Sequence, residues 1–125
     1  MISQVLLVGL GGFLGATFRF GIGHYIKSNI QHAFPFSTLL VNALGCFILG
    51  LFLEYFKTHH LMEAMTLFFV IGFLGAFTTF SAFGFETIQL FQIGYTKLAA
   101  LNILVNLSFS FLAILIGTRI ATVFH

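Results

Sequence analysis

The residues best suited to chemistry lie in Gly72-Phe-Leu-Gly-Ala-Phe-Thr-Thr-Phe-Ser-Ala-Phe83, where two glycines precede Thr78, Thr79 and Ser81 inside an apolar run. Glycine and hydroxyl side chains weaken a helix. A break in the membrane interior is tolerated where the freed backbone lines a cavity or binds an ion. A break here exposes the carbonyls around Gly75 and Thr78, at the negative end of a half-helix. Such oxygens from two copies of the chain would suit a hard monovalent cation such as sodium. The alternative is an unbroken helix whose hydroxyls bond carbonyls one turn back, and the residue types alone leave both open. Phe77, Phe80 and Phe83 recur every three residues and would share one helix face. Filling lipid-facing or core space is the ordinary use of such rings. A sharper use lies in the ring quadrupole, whose positive edge receives a small dehydrated anion without holding it as a lysine would.

A second set of polar residues falls inside apolar stretches. Thr38 and Asn42 are one turn apart, and Asn102, Asn106 and Ser110 follow one another at the same interval on a single face. Polar side chains within a span face the bundle or a wet path, so these five form either a polar track or a set of interhelical hydrogen bonds. No carboxylate falls in the middle of a span: Glu54 and Glu86 lie near helix ends and Glu63 at a helix start. That argues against a proton-coupled carrier, which needs a titratable group in its path. Arg19 is the one basic residue well inside a span; it either snorkels to the interface or lines an anion vestibule. Glu86, one turn beyond Phe83, either sits at the mouth of a path or pairs with a basic side chain.

Those residues require a membrane to hold them. Of 125 residues, 59% are hydrophobic and 6% charged, with a mean hydropathy of +1.10, against about 25% charged in a soluble domain. The chain reads as a single all-α integral membrane domain over residues 1–125. Five basic residues without clustering exclude a nucleic-acid surface. The single cysteine, Cys46, excludes an intrachain disulfide and suits helix packing. The first apolar run lacks preceding Lys or Arg and contains Arg19, so it reads as a retained helix and not a signal peptide. His59 and His60 read as an interfacial turn, because no Cys or Asp accompanies them as a metal ligand.

Spans of about 20 apolar residues fall at about 4–26, 36–56, 62–86 and 97–124, joined by loops at 27–35, 57–61 and 87–96. Pro35 suits the start of the second helix. With four spans, Lys57 and Arg119 collect on one side of the membrane and Lys27 and Lys97 on the other, with Arg19 nearer the latter. So even a count gives no orientation preference. The chain is then expected to insert both ways, unless a weak bias hides in the exact helix ends. Gly11 with Gly15, Gly12 with Ala16, and Gly45, Gly50, Gly72 and Gly75 supply small surfaces for close helix contact. Four helices enclose little space, so a conducting path calls for a partner.

Three motifs occur in order along nearly the whole chain: Gly11-Gly-Phe-Leu-Gly-Ala-Thr-Phe-Arg19, Ser37-Thr-Leu-Leu-Val-Asn-Ala-Leu-Gly45 and the Gly72–Phe83 segment. With them the sequence resembles the Fluc (CrcB) family of dual-topology fluoride channels. The resemblance implies four transmembrane helices per subunit, the third broken near the midplane, in an antiparallel homodimer with two pores. It implies passive, selective export of fluoride across a bacterial cytoplasmic (inner) membrane, relieving fluoride toxicity, by a channel and not an enzyme. By the same resemblance, Phe80 and Phe83 present ring edges to fluoride, with Asn42 as the donor beside them and Ser81 nearby. Thr38, Asn102, Asn106 and Ser110 form the polar track, although some members carry Tyr and Ser where Asn102 and Asn106 stand. Gly75 and Thr78 are implied as carbonyl ligands of a structural, non-transported sodium ion. Two other classes compete. A small multidrug-type exporter needs a Glu within its first span, and this chain has none there. A non-transporting membrane subunit leaves Thr38, Asn42, Asn102, Asn106 and Ser110 unexplained as a set.

Overall fold

The computed structural model describes residues 1–58 and 63–123, so the His59–His60 pair lies outside the described residues. Among these, every regular element is helical. Helix α1 covers Ile2–Asn29 and α2 Phe36–Thr58. The third span, Glu63–Gln92, is composite: a short α3 (Glu63–Met65), a π-helical stretch (Thr66–Leu74), α4 (Gly75–Phe77) and α5 (Phe80–Gln92). Helix α6 covers Thr96–Val123. Four of these spans are long and apolar enough to cross a membrane.

The break falls within the expected segment. Thr78 (φ −77°, ψ 157°) and Thr79 (φ −150°, ψ 113°) are both extended and separate α4 from α5. Where the sequence suggested the third span closing at residue 86, α5 runs on to Gln92, so the loop assigned to 87–96 begins too early. The reason is visible in the chain: Ile88, Leu90 and Phe91 prolong the apolar pattern. Only Gly94, at φ 86°, ends it. The amides of Gly94 and Tyr95 then turn back to the carbonyls of Phe91 and Leu90, at 3.1 and 2.8 Å, as a glycine in the left-handed region allows.

Two close helix contacts hold the bundle. Helix α1 lies against the π-helical stretch, where a Cβ at Gly11 or Gly15 would meet the carbonyl of Phe68 or Phe73. Helix α2 lies against α6 with a reciprocal fit: a Cβ at Gly50 would meet the Ile114 carbonyl, and one at Gly117 the Phe47 carbonyl. Without water to drive association, such backbone approach supplies the dispersion contact that holds membrane helices together. Gly45 instead makes room for side chains beneath the break, those of Thr78 and Phe77. Gly75 differs: it is exposed, and a Cβ there would find nothing closer than the Val70 carbonyl at 3.8 Å.

The wide turns of Thr66–Leu74 had no counterpart in the sequence reading. π-type turns are found mostly as single insertions in α-helices, often at functional sites; here nine residues adopt them, separated from the break only by the short α4.

Candidate functional site

The break is built around one side chain from α2. In an unbroken helix the Thr79 amide would donate to the carbonyl of Gly75. Instead it donates to Asn42 Oδ1 at 2.7 Å, and Asn42 Nδ2 donates to the Thr79 carbonyl at 3.1 Å. Asn42 thus pairs both backbone groups of the residue that interrupts the helix. Both residues are buried, at 8% and 7% exposure, where an unpaired backbone group would cost about 1–3 kcal/mol. Thr79 then caps the second half-helix, its Oγ1 accepting from the Ala82 amide at 3.2 Å, as N-cap threonines do. The same hydroxyl lies 3.3 Å from Ser81 Oγ.

From Asn42 the polar contacts pass to α6. The second hydrogen of Asn42 Nδ2 goes to Asn106 Oδ1 at 3.1 Å. One turn away, Asn102 Nδ2 donates to Thr87 Oγ1 at 2.8 Å, and Thr87 donates to the Phe83 carbonyl at 2.7 Å. Asn102, Asn106 and Thr87 are 0%, 4% and 6% exposed. Two atoms of this seam are buried without a partner: Asn106 Nδ2 and Asn102 Oδ1. Ser110, further along the same helix, meets Cys46 of α2. Of the five residues assigned to a polar track, Asn42 and Asn106 touch, Asn102 reaches α5, and Ser110 faces Cys46. Thr38 lies apart, in the cavity described next.

That cavity, of about 380 Å³, is lined by Arg19, His24 and Lys27 of α1, Thr38 of α2, Thr79 of the break and Glu86 of α5. It therefore joins two basic side chains to the break itself. Lys27 Nζ is 3.9 Å from Glu86 Oε1, with the lysine largely exposed. Glu86 also faces the Thr38 hydroxyl. A second cavity of about 340 Å³ lies beyond this pair and shares Lys27, Ser37 and Glu86 with the first.

The phenylalanine spacing is interrupted by the break. Phe77 belongs to α4, is buried, and stacks on Phe73 at 5.8 Å with planes 7° apart. Phe80 and Phe83 belong to α5 and pair at 5.4 Å with planes tilted by 55°. A single face for all three rings presumes an unbroken helix and does not survive the turn at Thr78–Thr79. Phe83 is buried while Phe80 is 76% exposed on the single chain.

A cation at the break would meet neutral carbonyl oxygens. The diversion of the Thr79 amide to Asn42 frees the Gly75 carbonyl of its helical donor. Hard oxygens of this kind fit a sodium ion. Among the described residues no group of three His, Cys, Asp or Glu side chains is placed to hold a metal.

Sequence reasoning missed two residues of the seam. Thr79 acts through its backbone, which its side-chain type does not advertise. Thr87 falls in the stretch that the apolar pattern assigns to a loop, and only the continuation of α5 to Gln92 puts it one turn from Phe83.

A buried polar seam in an apolar four-span chain, built on a helix break that borders a cavity holding Arg19, Lys27 and Glu86, defines a small multi-pass membrane protein with hydrogen-bonded polar groups buried between its spans. Residues 6–118 match the family described as CrcB-like protein, Camphor Resistance (CrcB). The chain is 40% identical over 119 residues to the fluoride-specific ion channel FluC of Clostridium perfringens, covering 94% of this chain and 93% of that protein. It is 39% identical over 118 residues to fluoride-specific ion channel FluC 3 of Methanosarcina barkeri, covering 94% and 89%. A FluC of Shewanella sp. is 39% identical over 119 residues, covering 95% and 96%. The chain belongs to the CrcB-like family.

Proposed function

We propose that this protein is a fluoride-selective passive channel of the cytoplasmic membrane, in bacteria the inner membrane, that lets fluoride leave the cell. The observation that carries the reading is the cavity in which Arg19 and Lys27 share walls with Thr79. Arg19 and Lys27 outnumber the one carboxylate of that cavity, Glu86, so an anion drawn in by the net positive charge arrives at the break, beside Asn42 and one turn of α5 from Phe83. The names borne by the relatives supply the identity of the anion.

In this reading the path replaces the water around fluoride with fixed partial charges. The amide donor of Asn106 and the ring edges of Phe80 and Phe83 attract the ion, while Ser81 and Thr38 offer hydroxyls that rotate to donate. Asn102 and Ser110 continue the polar track along α6. None of these groups carries a full positive charge, so the ion is held weakly enough to move on.

The reading includes a second copy in inverted orientation, with two pores. Gly75 and Phe80 support it, since both are exposed on the single chain although they flank its most polar segment. The carbonyls of Gly75 and Thr78 from both copies would hold a structural sodium ion, which would fix the two breaks against each other. The near-even distribution of Lys and Arg favours insertion both ways.

Fluoride efflux from liposomes containing the purified protein tests the proposal: a preference for fluoride over chloride is expected, and equal passage of both ions refutes it.

A further inference from the structure

Each side-chain amide of the seam has its orientation dictated by a backbone group. Asn42 must turn its oxygen to the Thr79 amide and its nitrogen to the Thr79 carbonyl, because the amide only donates and the carbonyl only accepts. The remaining hydrogen on Asn42 Nδ2 then requires the oxygen of Asn106. Asn106 is thereby left with its nitrogen, a donor, free.

The same logic runs the opposite way one turn along α6. The single hydrogen of Thr87 Oγ1 is committed to the Phe83 carbonyl, so Thr87 can only accept from Asn102. Asn102 must turn its nitrogen to Thr87, which leaves its oxygen, an acceptor, free. Two chemically identical side chains on one helix face thus present opposite polarity. Rotation of either amide would place two donors or two acceptors against each other.

We infer that Thr87 is a positioning residue for conduction: acting through Asn102, it keeps an acceptor at that level of the seam and leaves Asn106 as the last fixed side-chain amide donor an anion meets. An anion is stabilised beside Asn106 Nδ2 and repelled by Asn102 Oδ1. The polarity step keeps the ion from settling between two amide donors, where it would be held too long to pass quickly. This inference rests on the proposed conduction of fluoride.

Thr87→Val keeps the shape and removes both hydrogen bonds, which frees Asn102 to turn its nitrogen into the seam. The expected result in liposome flux is a half-saturating fluoride concentration lowered at least about threefold together with a slower maximal rate, by the relation between tight binding and slow exit. Thr87→Ser, which retains the hydroxyl, should restore both values. In an Asn102→Ala background Thr87→Val should change neither, because a residue acting only through Asn102 shows complete coupling to it. Equal effects of Thr87→Val in both backgrounds, or no effect in either, overturn the inference.

A second measurement avoids the valine variant. In protein labelled with nitrogen-15 at asparagine, added sodium fluoride, compared with sodium chloride, should shift the Asn106 side-chain amide resonances and leave those of Asn102 in place. A shift at Asn102, or no shift at Asn106 in protein that conducts fluoride, overturns it. Parent protein that passes no fluoride refutes the channel reading instead, which separates the two failures.

Discussion

Asn42 and Thr79 exchange two hydrogen bonds across helices, the Thr79 amide donating to Asn42 Oδ1 at 2.7 Å and Asn42 Nδ2 donating to the Thr79 carbonyl at 3.1 Å. The pair turns an interruption of the third span into a defined structure, because one asparagine from α2 replaces the partners that the helix itself no longer supplies. Its remaining donor extends the same network to Asn106. Stability of the break and orientation of the polar seam therefore share one residue.

Replacing Asn42 with Leu removes that compensation. Each backbone group of Thr79 left unpaired should cost about 1–3 kcal/mol, read as a lower thermal midpoint of the purified protein in detergent. Asn42→Asp keeps an acceptor for the Thr79 amide but loses the donor to the Thr79 carbonyl and to Asn106, and adds a negative charge. It should retain more structure than Asn42→Leu while abolishing fluoride flux. Flux at the parent rate in the Asp variant would contradict the role given to the seam.

The glycines of α1 allow a paired comparison. At Gly11 a Cβ would meet the Phe68 carbonyl, whereas at Gly9 it would find nothing within 4 Å. Gly11→Ala should destabilise the fold by about 1–3 kcal/mol through overpacking, and Gly9→Ala should leave the thermal midpoint unchanged or slightly raised. Equal midpoints for the two variants would mean that the α1 contact is looser than described.

Phe80 and Phe83 share α5 and tilt toward each other. Exchange for isoleucine keeps apolar bulk and removes the ring quadrupole. Each variant is expected to fold and to lose most of its fluoride flux. If both variants conduct as the parent does, ring edges play no part in moving the ion.

Lys27 is largely exposed and 3.9 Å from Glu86, so the pair adds only about 0–1 kcal/mol to stability. Its effect should be on capture of the ion. Lys27→Gln is expected to slow fluoride entry several-fold at low ionic strength, with the difference fading toward 0.5 M salt as screening shortens the reach of the charge, about 10 Å at 0.1 M. A deficit independent of salt would place Lys27 in the path itself.

Four spans were readable from hydropathy, and two glycines followed by hydroxyl residues marked where the third could break, although those residue types alone left an unbroken helix equally open. The π-helical turns of Thr66–Leu74 were not readable, since that segment is apolar apart from Thr66 and carries no residue that marks a wider turn. Phe77 was misplaced for a related reason: a three-residue spacing implies a shared face only while the helix continues, and here it stops at Thr78. Asn42 and Asn106 stood out because amides are rare within spans. Their partner Thr79 acts through backbone groups that every residue possesses. Thr87 escaped because Glu86 suggested an interface where α5 in fact continues to Gln92. Lys27 was recognised as a loop charge, but its approach to Glu86 depends on how α1 meets α5 and has no signature along the chain.

The central claim is tested most directly by passive efflux from liposomes loaded with either potassium fluoride or potassium chloride and reconstituted with purified protein, followed with ion-selective electrodes after valinomycin clamps the potential. The account predicts rapid fluoride release that depends on the protein, with chloride release no faster than from protein-free liposomes. Chloride release as fast as fluoride, or fluoride release no faster than from empty liposomes, would contradict it.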